Sequence, residues 1–289
     1  MKREGDIFNL FIPKSKHAQV TIFIIIAVIV VSVIISFFLF RGLVLPEIGE
    51  KPEKNPNAFL ESCMEDKIKE TIKTIYMQGG YIENPLNKTF KFEDDSLPSS
   101  ISYLCYTSSS YLPCTPQEVK LIKHLEDEIY KAILEEMGNC FEKLKSSLEK
   151  GGYDVEADYR GFEVDLIKRN IVIPIDAELT MIKSGETTKH ESFKIIIPSR
   201  IYELALMVQE IINSEATAGE FNHYSIFLYP EFDINKYRAS DSSVIYRVRH
   251  ENTDEEFRFA VRSGVMPSGF GMNFNYTSGT SGGGGNESE

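Results

Sequence analysis

The sequence predicts an α+β protein: an N-terminal transmembrane helix followed by an outer domain of about three helices and an antiparallel sheet. Three observations predict it. Val20 to Phe40 is an apolar run without charge, proline or glycine. Further along, two long stretches carry apolar residues every three or four positions, the period of a helix packed on one face. From Tyr153 onward the apolar period changes to two, that of a half-buried strand. Helices and strands that do not alternate regularly belong to the α+β class.

The 289 residues suffice for one large domain or two small ones beyond the anchor, and an apolar fraction of 42% supports a packed core. Charge is uneven. Residues 1–19 carry Lys2, Arg3, Lys14 and Lys16 against Glu4 and Asp6, a balance of about +2. Residues 42–289 carry a balance of about −15. Such a domain repels nucleic acid over most of its surface, so nucleic acid is excluded as a partner.

The run from Val20 to Phe40 covers about 21 residues, enough at 1.5 Å each to span a hydrocarbon core of about 30 Å. Thr21, Ser32 and Ser36 are tolerated because a helical hydroxyl bonds back to a carbonyl. A cleaved secretory signal has a shorter apolar region and a small-residue cleavage site. This run ends instead in Phe37-Phe38-Leu39-Phe40-Arg41. An anchor is therefore expected, with the bilayer as partner. Lys14 and Lys16 precede the span and only Arg41 closely follows it, which places the N-terminus in the cytoplasm and the domain outside. The expected organisation is a basic cytoplasmic leader at 1–19, the span at 20–40, a Pro-rich stalk at 41–56, an extracytoplasmic domain at 57–278 and a disordered Gly-rich tail at 279–289.

Lys16-His17-Ala18-Gln19-Val20-Thr21-Ile22-Phe23, running straight into the span, resembles the start of archaeal class III (type IV pilin-like) signal peptides. In those a short basic leader ends at a small residue and a Gln opens the mature helix. The resemblance implies processing between Ala18 and Gln19. Together with Glu61-Ser62-Cys63 and Gln78-Gly79-Gly80-Tyr81, the first 80 or so residues also resemble uncharacterised archaeal membrane-anchored proteins, a likeness that brings no activity with it.

Asn57 to Met77 reads as a helix with Leu60, Cys63/Met64, Ile68, Ile72 and Ile75 on one face, stopped by Gly79-Gly80. Residues 82–114 read as irregular. Thr115-Pro116-Gln117-Glu118 reads as a helix start with a capping box. The helix it opens has Ile122, Leu125, Ile129, Ile133, Met137, Cys140, Leu144 and Leu148 on one face and ends at Gly151-Gly152.

Tyr153, Val155, Ala157 and Tyr159 alternate with Asp154, Glu156, Asp158 and Arg160 in a strand. Phe162 to Ile167 and Ile171 to Ile182 follow, with Pro174 suggesting an edge or a bulge. A turn at Ser184-Gly185 leads to a strand from His190 to Ile197. Ser199 caps a third helix, with Ile201, Leu204/Ala205, Val208 and Ile211/Ile212 inward. Tyr224 to Tyr229 reads as a strand. Val244 to Arg249 and Phe257 to Arg262 read as a hairpin around Asn252-Thr253-Asp254.

All four cysteines follow the span, and an even count outside the cytoplasm suggests disulfides. Of three pairings, Cys105–Cys114 closes a short loop, and Cys63–Cys140 joins the apolar stripes of two helices. Free buried thiols are the alternative. Zinc is disfavoured because neither Cys-x-x-Cys nor a nearby His is present.

No Gly-x-Ser-x-Gly, His-Glu-x-x-His, Walker, dinucleotide or calcium-loop motif occurs, so no catalytic residue, metal or cofactor is expected. His17, His124, His190, His223 and His250 are scattered. The clusters Glu93-Asp94-Asp95, Glu126-Asp127-Glu128 and Asp254-Glu255-Glu256 read as solvated faces, with calcium as the alternative.

Arg247, Arg249, Arg258 and Arg262 share a face of the hairpin. They form either a docking patch for an acidic protein or an anionic glycan, or cross-sheet ion pairs, for example with the Asp154 row. Asn87, Asn275 and Asn286 match the N-glycosylation pattern. Three functions remain open: a membrane-anchored structural or interaction protein, a pilin-like subunit assembled through its hydrophobic helix, and a surface-anchored hydrolase.

Overall fold

The computed structural model describes residues 25–32, 55–109, 112–222 and 229–264. The chain divides into two compact units, Met1–Gly49 and Glu50–Glu289. In the first unit the described part is helical, α1, over 25–32. Its side chains are all exposed, including Ile25, Ile26, Val28, Ile29, Val30 and Val31 at 50–60%. Ser32 Oγ donates to the Val28 carbonyl at 2.7 Å, the back-bond that lets a hydroxyl sit in an apolar helix. Among the described residues no helix is long and apolar enough to cross a membrane. The rest of the expected span, the leader with Ala18 and Gln19, most of the stalk and the tail lie outside the described residues.

The second unit is α+β, with three helices and two sheets among its described residues. Helix α2 (Pro56–Gln78) starts where Asn55 Oδ1 accepts from Ala58 N at 3.1 Å, and Pro56 occupies the first turn. Leu60, Met64, Ile68, Ile72 and Ile75 are buried along it. Gly79 ends it at φ 73° with its N–H on the Ile75 carbonyl. A Cβ on Gly79 would lie 3.1 Å from Ser102 N and O and 3.2 Å from Arg258 O, so the helix end abuts two strand backbones.

Helix α3 (Leu121–Lys150) is 30 residues long and buries Leu121, Leu125, Ile129, Ile133, Met137, Cys140, Phe141, Leu144 and Leu148. Helix α4 (Ile201–Ala218) buries Ile201, Leu204, Ala205, Val208, Ile211 and Ile212. The three stripes and both sheets contribute to one continuous apolar core. Each fully buried aliphatic or Phe side chain in it stabilises by about 1.5–3 kcal/mol.

The first sheet has six strands: β1 (Asn87–Phe90), β2 (Ser99–Tyr106), β3 (Thr115–Pro116), β9 (Phe232–Arg238), β10 (Val244–His250) and β11 (Glu256–Arg262). Their order is β1-β2-β11-β10-β9, with β3 on β2. The β10–β11 hairpin is as expected, but β2 pairs parallel with β11, where an all-antiparallel sheet was expected.

The second sheet is antiparallel around β6 (Asn170–Lys183). On one side lie β4 (Asp154–Phe162) and β5 (Asp165–Ile167); on the other lie β7 (Glu186–His190) and β8 (Phe193–Pro198). It is a three-lane meander whose outer lanes are each broken once. Ser184 (φ 54°) and Gly185 (φ 84°) make the turn from β6 to β7.

Four expectations need correction. Residues 82–114 are not irregular but hold β1, β2 and the closing loop. Ser99–Tyr106 was obscured because β2 is buried on both faces over Ile101–Cys105, so it shows no alternation. Thr115 and Pro116 do not cap α3. They pair with Tyr106 and Cys105, because the Cys105–Cys114 bond draws them onto the β2 edge, and α3 begins at Leu121.

Pro174 sits on the central strand of its sheet rather than an edge. Its carbonyl accepts from Glu163 N at 3.0 Å in the gap between β4 and β5, where no ladder N–H is needed. Its opposite residue, Lys194, uses its N–H and carbonyl on the Asn57 side chain at 2.7 and 2.9 Å. Strand β9 was not anticipated, since Asp233, Asn235 and Lys236 disguise an edge strand. The strand expected from Tyr224 falls almost wholly on 223–228, outside the described residues.

Candidate functional site

A groove of about 430 Å³ opens between the C-terminal half of α2, the end of β8 and the β10–β11 turn. Lys69, Ile72, Lys73, Tyr76 and Met77 recur at three- and four-residue steps, so one helix face supplies the first wall. Ile197 and Pro198 close the end, and Asp254, Glu255 and Glu256 form the opposite wall. Ile72, Tyr76 and Ile197 are buried.

The turn is pinned from beneath. Buried His250 accepts from Asn252 N at its Nδ1 (3.2 Å) and sets its ring edge-on to Phe232 at 5.7 Å. Its carbonyl accepts from Thr253 N at 3.1 Å, and its N–H donates to the Glu255 carbonyl at 3.1 Å. This fixes Glu255 against the start of α4, where its carboxylate accepts from Arg200 N.

Ser199 Oγ accepts from Ile201 N at 3.2 Å and meets Tyr76 Oη at 3.1 Å. Ser199, expected to cap α4, is displaced by one residue: Arg200 is the cap position, and the Ser199 hydroxyl lies just before it and accepts from Ile201 N. Burial, reinforced by the Glu255 charge, pushes the Tyr76 phenol well above its ordinary pKa, so it stays protonated. Among the described residues the groove lining contains no Ser, Cys or His. Chemically it offers binding contacts: an apolar floor with ammonium groups on one rim and carboxylates on the other.

The four arginines are arranged otherwise than a docking patch requires. Arg247 and Arg258 lie directly opposite one another on β10 and β11. Two like charges so placed are destabilising unless acids intervene. They do: Arg258 is buried and grips Asp95 through both terminal nitrogens at 2.7 and 3.1 Å, and it also binds Glu256. Arg247 grips Asp94 at 3.0 and 2.8 Å. Both guanidiniums lie over the Phe92 ring, 4.4 and 5.3 Å from its centroid. Phe92 is itself buried with Ile101, Tyr103, Ile245 and Ala260.

Arg249 pairs with Glu256 at 3.2 Å, and Arg262 donates to the Thr107 carbonyl. Arg247 and Arg258 thus clamp the segment after β1 onto the outer face of the sheet. Their partners are Asp94, Asp95 and Glu256, not the Asp154 row, which lies on β4 in the other sheet. There Arg160 bridges Asp158, at 2.7 Å, and Asp176.

A buried carboxylate that the sequence reading overlooked is Glu215. It accepts from Tyr246 Oη and from Phe221 N at 3.3 Å, and Lys236 Nζ stands 3.8 Å away. Burial and then the Glu215 charge push the Tyr246 phenol far above its ordinary pKa. The signal was present: the inward stripe of Val208, Ile211 and Ile212 reaches position 215 at its next step.

Both disulfides, Cys63–Cys140 and Cys105–Cys114, are present, and no cysteine is free. Among the described residues one group of potential metal ligands gathers, Cys63, Glu136 and Cys140, and its two sulfurs are joined to each other. Glu126 and Glu128 serve the backbone, accepting from Leu166 N and Ile82 N at 3.1 and 2.9 Å. His124 bonds the Gly80 carbonyl at 2.9 Å. Asn87 is exposed on β1, while Asn275, Asn286, His17 and His223 lie outside the described residues. No protein-family model matches this chain, and no curated protein or solved structure matches it either.

Proposed function

We propose that this chain is a single-pass, membrane-anchored protein whose disulfide-stapled α+β unit acts as an interaction domain on the outer side of the membrane. One observation carries the reading. Six aliphatic side chains of α1 are uncovered, within a longer run that has no charge, while the other unit is closed by two disulfides. An uncovered helix of this composition is stable in hydrocarbon and costly in water, at about 25 cal/mol per Å² of apolar surface. Disulfides persist on the oxidising side. The groove supports a binding role, because it joins an apolar floor to rims of opposite charge and its described lining holds no Ser, Cys or His.

The test is alkaline carbonate extraction combined with protease protection on sealed vesicles from cells that make the full chain. The expected result is a chain retained in the membrane whose Cys63–Cys140 unit lies on the non-cytoplasmic side. Release by carbonate, or protection of that unit on the cytoplasmic side, refutes the reading.

The exposed α1 also favours a second reading, a pilin-like subunit that buries the same helix against other copies after processing at Ala18/Gln19. Mass spectrometry of the N-terminus from the native membrane separates the two. A start at Gln19 supports assembly, and a start at Met1 supports a plain anchor.

A further inference from the structure

We infer that the groove between α2 and the β10–β11 turn is a binding site for a small apolar zwitterion, of which a dipeptide with both ends free is the simplest form. The inference does not rest on the membrane anchor. It rests on the volume of the groove, its floor, and the sign of its two rims.

A volume of about 430 Å³ falls in the range of small-ligand sites, roughly 300–1,000 Å³. The floor, built from Ile72, Tyr76, Met77 and Ile197, asks for an apolar body. The rims are chemically opposite. Lys69 and Lys73 stand on α2, and Asp254, Glu255 and Glu256 stand on the turn.

Most of these charges are already engaged: Lys69 with Glu65, Glu255 with the Arg200 amide, Glu256 with Arg258 and Arg249. One on each rim is not. Among the described residues the side chains of Lys73 and Asp254 make no ion pair and no hydrogen bond, with each other or with any other group, and both residues are exposed. A lysine and an aspartate that face one cavity yet stay apart leave room for a molecule that carries the matching charges. Its carboxylate would meet the Lys73 ammonium and its ammonium the Asp254 carboxylate, with the apolar side chains on Tyr76 and Met77.

Both walls are tied to the body of the fold, which suits a preformed site. The turn is held by the His250 and Thr253 contacts, and α2 is tied through Cys63–Cys140 to α3. A ligand with only one charge would satisfy one rim and leave the other as it is now. Selectivity for both ends together is therefore the distinguishing property.

The experiment is isothermal calorimetry on the full chain in mild detergent, with leucyl-leucine as probe and its N-acetylated and C-amidated forms as controls. Saturable binding of the free dipeptide is expected, with each blocked form weaker by about tenfold, the ratio that corresponds to about 1.4 kcal/mol. Lys73→Glu should weaken the free dipeptide by about tenfold while leaving the C-amidated form unchanged, and Asp254→Lys should do the converse with the N-acetylated form. Both side chains are exposed, so the fold survives either change, and far-UV circular dichroism verifies that. Absence of saturable binding up to about 10 mM, weaker than the affinity of even a poor site, overturns the proposal. So does equal affinity for the free and the blocked dipeptides.

Discussion

Replacing Gly79 by alanine tests the seam where helix α2 meets the first sheet, and Gly219 provides an internal control. Both residues end a helix in the left-handed region, at φ 73° and 74°. An alanine at either position incurs about 1–2 kcal/mol for that conformation. At Gly219 the added methyl meets nothing within 4 Å. At Gly79 it meets Ser102 N and O at 3.1 Å and Arg258 O at 3.2 Å. Those atoms are backbone of β2 and β11, held in the sheet by the pairing of Ser102 with Asn87 and of Arg258 with Arg247. Overpacking against groups that cannot step aside adds about 1–3 kcal/mol.

Gly79→Ala should therefore lose about 2–5 kcal/mol and Gly219→Ala about 1–2 kcal/mol. Urea titrations of the full chain in mild detergent, followed by far-UV circular dichroism, measure both. At a slope of about 2–3 kcal/mol/M the extra ~1–3 kcal/mol at Gly79 should separate the two midpoints by roughly 0.3–1.5 M. Equal midpoints would refute the argument that the helix end abuts the strands.

The same titration checks the staples. The entropy of closing a loop predicts a loss of about 4.5 kcal/mol for Cys63→Ala with Cys140→Ala, whose separation is 77, and about 2.7 kcal/mol for Cys105→Ala with Cys114→Ala, whose separation is 9. Arg258→Met leaves the largely buried carboxylates Asp95 and Glu256 without their partner and should cost about 3–5 kcal/mol. Asp94→Asn, on the exposed side of the clamp, should leave the urea midpoint nearly unchanged.

The pH dependence has a definite sign. Hydrogen bonds from Arg160 to Asp176, from Lys143 to Glu136 and from Lys189 to Glu191 hold those carboxyls below their ordinary values. A depressed folded pKa contributes stability that is present above the unfolded value, about 4, and is lost as pH falls through the folded one. The urea midpoint should be level from pH 7 to about 5 and decline below about 4; a midpoint that rises on acidification contradicts these pairings.

What the sequence disclosed follows the one-sided elements. Helices α2 and α3 and strands β4 and β6 each bury one face, so their stripes are written in the order of residues. Because Cys63 and Cys140 lie on two such stripes, their pairing could be read as well. What it hid are the positions where a neighbour overrides the local pattern. Strand β2 is covered on both faces, so Ser102 is fully buried among apolar residues and no alternation survives. Thr115 and Pro116 have good cap chemistry but are claimed by β2.

The groove was hidden for a different reason. Its rims come from residues 69–77 and 254–256, each an ordinary polar segment until the fold brings them together. The arginine face was legible as a group, but its partners were not. Asp94 and Asp95 sit in a stretch that reads as loop, far from the hairpin in sequence.

The parallel pairing of β2 with β11 has a consequence for biosynthesis. Thr107 and Arg262, which meet beside that pairing, are 155 residues apart. Strand β2 is made early, yet the partner that completes its ladder on one side is the last strand described. The central sheet therefore has no complete form while the chain is still being synthesised, and high contact order slows its closure afterwards. Until then the apolar run Ile101–Cys105 is an open strand edge. A chain with this topology needs a holding factor, or rapid closure of Cys105–Cys114 with β3 folded back onto β2, to keep nascent copies from pairing with one another.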